Sequence, residues 1–154
     1  MKEDYDHDKL IERFLRKLSE AAKDRGVVCG DLPEGKPYIP KRVAKGIEMS
    51  YVFHPNAPYR VEMWIYHRER EGGVEATKEL HEHFRSKKRE IEADYGGPLE
   101  WDYKGRKKAR SIQQEYDDFQ LSRESEWDQW IDRIVNDMKR LDDSLVPHYI
   151  NMRN

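Results

Sequence analysis

Apolar side chains recur along this chain with two different spacings, and the changes from one to the other mark out its elements. Leu10, Ile11, Phe14, Leu15, Leu18 and Ala22 form a stripe on an otherwise charged segment. The stripe predicts an amphipathic helix over 8–25, with the polar residues 1–7 frayed ahead of it. Gly26 follows where a helix would stop, and 30–40, with three prolines and two glycines, reads as a loop leading into a sheet. Ile47, Met49, Tyr51 and Phe53 then alternate with Glu48, Ser50 and Val52, and a second alternation covers 59–66, with His54 to Pro58 as the turn. This is the signature of a β-hairpin. In its second strand Val61, Met63 and Ile65 share one face, which leaves Glu62, Trp64 and Tyr66 on the other.

Residues 77–101 read as one helix, a turn and a strand. Leu80, Phe84, Lys87, Ile91 and Tyr95 recur at helical spacing, Gly96, Gly97 and Pro98 stop the helix, and Leu99, Trp101 and Tyr103 alternate onto one side of a third strand. Lys104 and Gly105 form the next turn. The segment 108–116 either returns as a fourth strand or forms a helix. Finally Trp127, Ile131, Ile134, Met138, Leu141 and Leu145 make a stripe along a long helix from about Glu124, widened by Trp130 and ended by Pro147. The order α-β-β-α-β-β-α predicts an α+β fold: an antiparallel sheet of two β-hairpins with amphipathic helices packed mainly on one face. The main body is expected over 38–150.

Composition changes this picture little. A chain of 154 residues suits a single domain over 1–154 with a core of its own. Its 39% of charged residues predicts a highly charged surface, while 4 Trp, 9 Tyr and 4 Phe supply the bulky core that a disordered chain lacks. With 29 Lys and Arg against 31 Asp and Glu, the net charge of -2 gives no general pull toward nucleic acid or an anionic membrane, so any such binding must be local. One cysteine, Cys29, and the lack of a long apolar run point to a cytoplasmic protein with no membrane partner and no internal disulfide.

Several phrases of the chain resemble a family of bacterial and archaeal domains of unknown function: Gly46 to Tyr51, Arg60 to Tyr66, the run from Ile91 to Trp101, and the helix from Trp127 to Leu141 ending at Pro147. Members of that family are often fused behind restriction-endonuclease-like nuclease modules. The resemblance covers most of the chain after the first helix and implies an accessory role in restriction or defence against foreign DNA. It carries no catalytic residue across.

Candidate chemistry is sparse. Lys104, Arg106, Lys107, Lys108 and Arg110 place five positive charges within seven residues, a basic hairpin finger able to neutralise phosphates, with Trp101 and Tyr103 as stacking platforms if they face outward. If they face inward they are core, and the finger is a solvated tip. Trp64 and Tyr66, on the face opposite Val61, are the candidate partner-binding residues unless a helix covers them. His81 and His83 are two apart and fall on different sides of a helix, so they are not a metal pair. Glu62 is expected to pair with Arg60 or Lys45. No catalytic motif, metal set or cofactor site emerges. The expectation is therefore a non-catalytic accessory or interaction domain, its partners nucleic acid, a protein or a second copy. Two alternatives stand beside it: a metal-dependent nuclease or hydrolase built from Glu48, Glu62 and His67, and a structural oligomer.

Overall fold

The computed structural model describes residues 2–101 and 108–153. The elements follow the order α1 (Lys2–Asp24), β1 (Tyr38–Ala44), β2 (Ile47–Val52), β3 (Tyr59–Ile65), α2 (Gly73–Ser86), α3 (Lys88–Tyr95), β4 (Arg110–Tyr116) and α4 (Trp127–Arg153), with single-turn helices at Glu69–Glu71 and Glu124–Glu126. The strands form one antiparallel sheet in the order β1-β2-β3-β4. This is the expected α+β class, assembled somewhat differently.

The first difference is β1, which the three prolines of 30–40 disguise as loop. Pro40 has no N–H to give a ladder, but β1 is the outermost strand and only its inner side pairs with β2, where Pro40 lies opposite Ser50. A register shift between Arg42 and Ala44 marks the end of that ladder, and Val43 is left exposed there. The third predicted strand shrinks correspondingly. Within the described residues it is a single antiparallel bridge, Glu100 to Gln113, on the outer side of β4. The segment 108–116 resolves to strand, as β4.

The helix expected over 77–95 starts earlier, at Gly73, and turns at Lys87, which divides α2 from α3. The turn lets the halves pack differently: α2 lies against β3, β4 and α4, while α3 packs on α4 alone among its main neighbours. Pro147 does not end α4. Leu141 and Leu145 are fully buried, and Tyr149, beyond the proline, still packs on the core, so the apolar stripe continues across the missing backbone bond. The carbonyl of His148 also receives the His83 ring at 3.1 Å, which ties this end of α4 to α2.

Sheet and helices share one core. Register alone decides which sheet residues belong to it: Ile39, Tyr51 and Val61 lie in one row, Met49, Met63 and Ile112 in the next, Ile47 and Ile65 in a third. From the helices come Leu15, Leu18, Phe84, Ile91, Ile134, Met138 and Leu141, and Phe14 reaches the rings of Phe53, Phe119 and Trp127 at 5.0 to 5.3 Å between centroids.

The run from Ile91 to Trp101 is held by one carboxylate. Gly96 takes a left-handed φ of 97°, and its N–H and that of Gly97 both return to the Glu92 carbonyl, closing α3. The chain then folds back so that the Glu92 side chain accepts from the Leu99 amide at 2.7 Å and from the Trp101 indole at 3.1 Å. Trp101 is thereby drawn inward, beside His81.

Candidate functional site

Alternation sends the other half of the sheet residues to the face away from the core. Tyr38, Val52 and Arg60 lie in one row there, Pro40, Ser50 and Glu62 in the next, and Arg42, Glu48 and Trp64 in the third. All of these but Arg42, with His54, Asn56 and Ala57 of the β2–β3 turn, enclose a groove of about 570 Å³. Among the described residues no helical one lines it. A smaller hollow of about 130 Å³ continues from it, between Arg42, Glu48, Trp64, Tyr66, Arg68 and Glu71. Trp64 and Glu48 belong to both.

The groove floor is charged but largely self-compensated. Glu62, 3% exposed, accepts from Arg60 Nε at 3.0 Å, and Arg60 also donates to the Pro58 carbonyl at 2.9 Å. This is the partner expected for Glu62. Arg42, the cross-strand neighbour of Glu48, turns instead to Glu71 at 3.2 Å. Glu71 also accepts the Arg68 amide, and that hydrogen bond, ahead of the nearby guanidinium groups, holds its carboxyl below the usual range. Glu48 is left half-buried, with no hydrogen bond or ion pair among the described residues.

Trp64 and Tyr66 fall where the alternation placed them, on the open face, Trp64 half-buried and Tyr66 41% exposed. The basic finger fares differently. Lys104, Arg106 and Lys107, with Tyr103, lie outside the described residues. Lys108 is exposed. Arg110 is 8% exposed and pairs with Ile65, on the row of the helix-covered face, so it is withdrawn from any phosphate-facing surface. Trp101 is likewise no stacking platform, because its indole N–H is committed to Glu92 and its ring is buried.

Glu48 and Glu62 do share a face, but His67 does not join them. It sits beyond the end of β3, where the Thr77 hydroxyl accepts its amide at 2.9 Å and lies 3.1 Å from Nδ1. Its ring packs beneath Gly46, whose φ of 74° and contact with the imidazole leave no room for a Cβ. Burial pushes the His67 pKa down. Among the described residues no three His, Cys, Asp or Glu side chains group as a metal site. His81 is 3% exposed, its Nε2 meets no hydrogen-bonding partner there, and burial lowers its pKa as well. Burial raises the Cys29 thiol. None of the described helices is long and apolar enough to cross a membrane.

The family model described as "Domain of unknown function (DUF4268)" matches residues 41–148. The chain belongs to this family. The DUF4268 match takes in the unknown-function region where the resemblance lies, and it holds Glu48, Ser50, Arg60, Glu62 and Trp64 of the groove. It begins within β1 and omits α1, although Phe14, Leu15 and Leu18 of α1 are fully buried in the common core. No curated protein matches the chain, and no solved structure does.

Sequence reasoning reached Trp64, Tyr66, Glu48 and Glu62 through strand alternation. It missed the contribution of Tyr38 and Pro40, because β1 itself was hidden by its prolines. Alternation after Pro37 was a usable signal, with Tyr38 and Pro40 on one side and Ile39 on the other.

Proposed function

We propose that this chain is a non-catalytic interaction domain that takes a partner on the open face of its sheet and serves a nucleic-acid-linked process such as restriction or defence against foreign DNA. The observation that carries the reading is the 570 Å³ groove. Its apolar walls, Tyr38, Pro40, Val52 and Trp64, surround a few polar groups, which is how recognition sites are composed. Tyr66, exposed beside it, extends the apolar surface in the way interaction patches do. The biological setting rests on the resemblance to bacterial and archaeal domains fused behind nuclease modules. In that setting Lys104, Arg106, Lys107 and Lys108 supply a phosphate-contacting run, without Arg110. The cytoplasm is where such a process takes place. The alternative of a metal-dependent site draws no support from a His67 placed apart from Glu48 and Glu62.

A photo-reactive residue at Asn56, on the groove rim, is expected to capture a discrete partner from lysate of the source cells, while the same residue at exposed Glu20 of α1 captures none. Equal yields at the two positions would overturn the interaction reading, and capture of a second copy would make the groove a self-interface. Labelled duplex is expected to bind at low salt, to weaken as salt rises, and to be released by Lys107→Glu with Lys108→Glu. No binding at low salt removes the nucleic-acid contact.

A further inference from the structure

Resting on that reading, we infer that the groove recognises a lysine or arginine side chain presented by a partner protein, with Glu48 as the carboxylate that receives it. Over the larger groove alone Glu48 and Glu62 exceed Arg60 by one charge, and the hollow that continues from it adds Arg42 and Arg68 against Glu71. Arg60 is bound to Glu62, so the excess in the larger groove resides on Glu48. The one arginine opposite Glu48 in register is turned away to Glu71. A half-buried carboxylate has lost part of its hydration, and a cation delivered from outside restores what the fold leaves out.

The occupant is a long cationic side chain rather than a bare ion. A divalent cation needs several oxygen ligands at once, and the second carboxylate here is already committed to Arg60 at 3.0 Å. Tyr38, Pro40 and Val52 form an apolar wall leading toward Glu48, against which the aliphatic stem of lysine or arginine lies while its head reaches the carboxylate. An acidic or phosphorylated segment would meet the Glu48 carboxylate and be repelled.

The test uses capped alanine pentapeptides with one central arginine, lysine, norleucine or glutamate, titrated into isotope-labelled protein while backbone amide and indole signals are followed. The arginine and lysine peptides are expected to give saturable shifts centred on Glu48, Ser50 and Trp64, with the norleucine peptide about tenfold weaker and the glutamate peptide weaker still. Glu48→Gln is expected to bring the cationic peptides down to the norleucine level without disturbing distant signals, and Glu48→Asp to keep part of the preference. Raising the salt concentration should narrow the gap. Equal binding of norleucine and arginine peptides, unchanged binding by Glu48→Gln, or shifts centred away from the groove would each overturn the assignment. If the cationic peptides fail to bind while Asn56 still captures a partner, the cation is wrong and the interaction reading survives. If Asn56 captures nothing, that reading falls by itself.

Discussion

The two faces of the sheet are made by the same four strands, yet they are organised by different physics. Toward the helices, Met49, Met63, Ile112, Val61 and Ile65 are fully buried in a core to which α1, α2, α3 and α4 all contribute side chains. On the opposite face, Glu62, Ser50 and Val52 are also buried, but no helix does it; Tyr38, Arg60 and Trp64 stand around them instead. The first face excludes water by dense apolar packing, which is non-directional and tolerates only residues of the right volume. The second excludes it with long, partly polar side chains that leave a groove and depend on specific ion pairs. The first face is therefore held by volume and the second by particular pairs.

That contrast can be broken most severely at Phe14. It meets three aromatic rings on the helix-covered side, and Phe14→Ala is expected to cost ~3–5 kcal/mol, read as a lower urea midpoint. Since α1 lies outside the DUF4268 match, a loss below ~1 kcal/mol would show that α1 is an appendage. On the open face, Glu62→Gln strands Arg60, whose side chain is only 11% exposed, and should cost ~3 kcal/mol. Replacing Arg60 and Glu62 together by Met and Leu should recover most of that loss; if the double variant is as unstable as the single one, the pair is not what holds the groove floor.

Smaller effects sharpen the picture. Glu92→Ala removes the acceptor of both the Leu99 amide and the Trp101 indole and is expected to cost ~1–3 kcal/mol, with altered Trp fluorescence. His81 gives a pH signature. Its folded pKa lies below the unfolded value of about 6.5, so the folded state binds fewer protons; the stability it contributes is complete above that pH and is lost as pH falls toward the folded pKa. Urea midpoints between pH 7 and 5 should fall for the native chain and fall less for His81→Gln, with His67 supplying a remaining slope of the same sign. Smallest of all, Glu48→Gln should change stability by under ~0.5 kcal/mol, because no partner among the described residues depends on it. A large loss there would make Glu48 structural.

Where local pattern and tertiary packing agreed, the elements could be read directly. The stripe from Leu10 to Ala22 became α1, and Gly96 stopped α3. The Val61–Met63–Ile65 row met the helices, leaving Trp64 and Tyr66 opposite. Where they competed, the pattern misled. Pro40 suggested loop because a lone strand with proline lacks a donor, but at the sheet edge that donor is not needed. The pattern placed Arg110 in a basic finger and left Trp101 open between a stacking platform and core. Glu92 claims the indole, and the pairing of Arg110 with Ile65 assigns its side chain to the helix-covered row.

The sequence by itself determined the α+β class, the amphipathic helices and the alternation that sorts the hairpin residues into two sets, because these depend on spacing along the chain. Only the tertiary structure decided which strands are neighbours, and hence that Tyr38 and Pro40 meet Glu48 and Trp64 across a groove. It also decided that Arg42 turns to the distant Glu71 while Glu62 keeps its near neighbour Arg60, a partner the sequence had offered it, leaving Glu48 over. Those outcomes are set by register and by competition among charges distant in sequence, and neither is encoded in any local stretch.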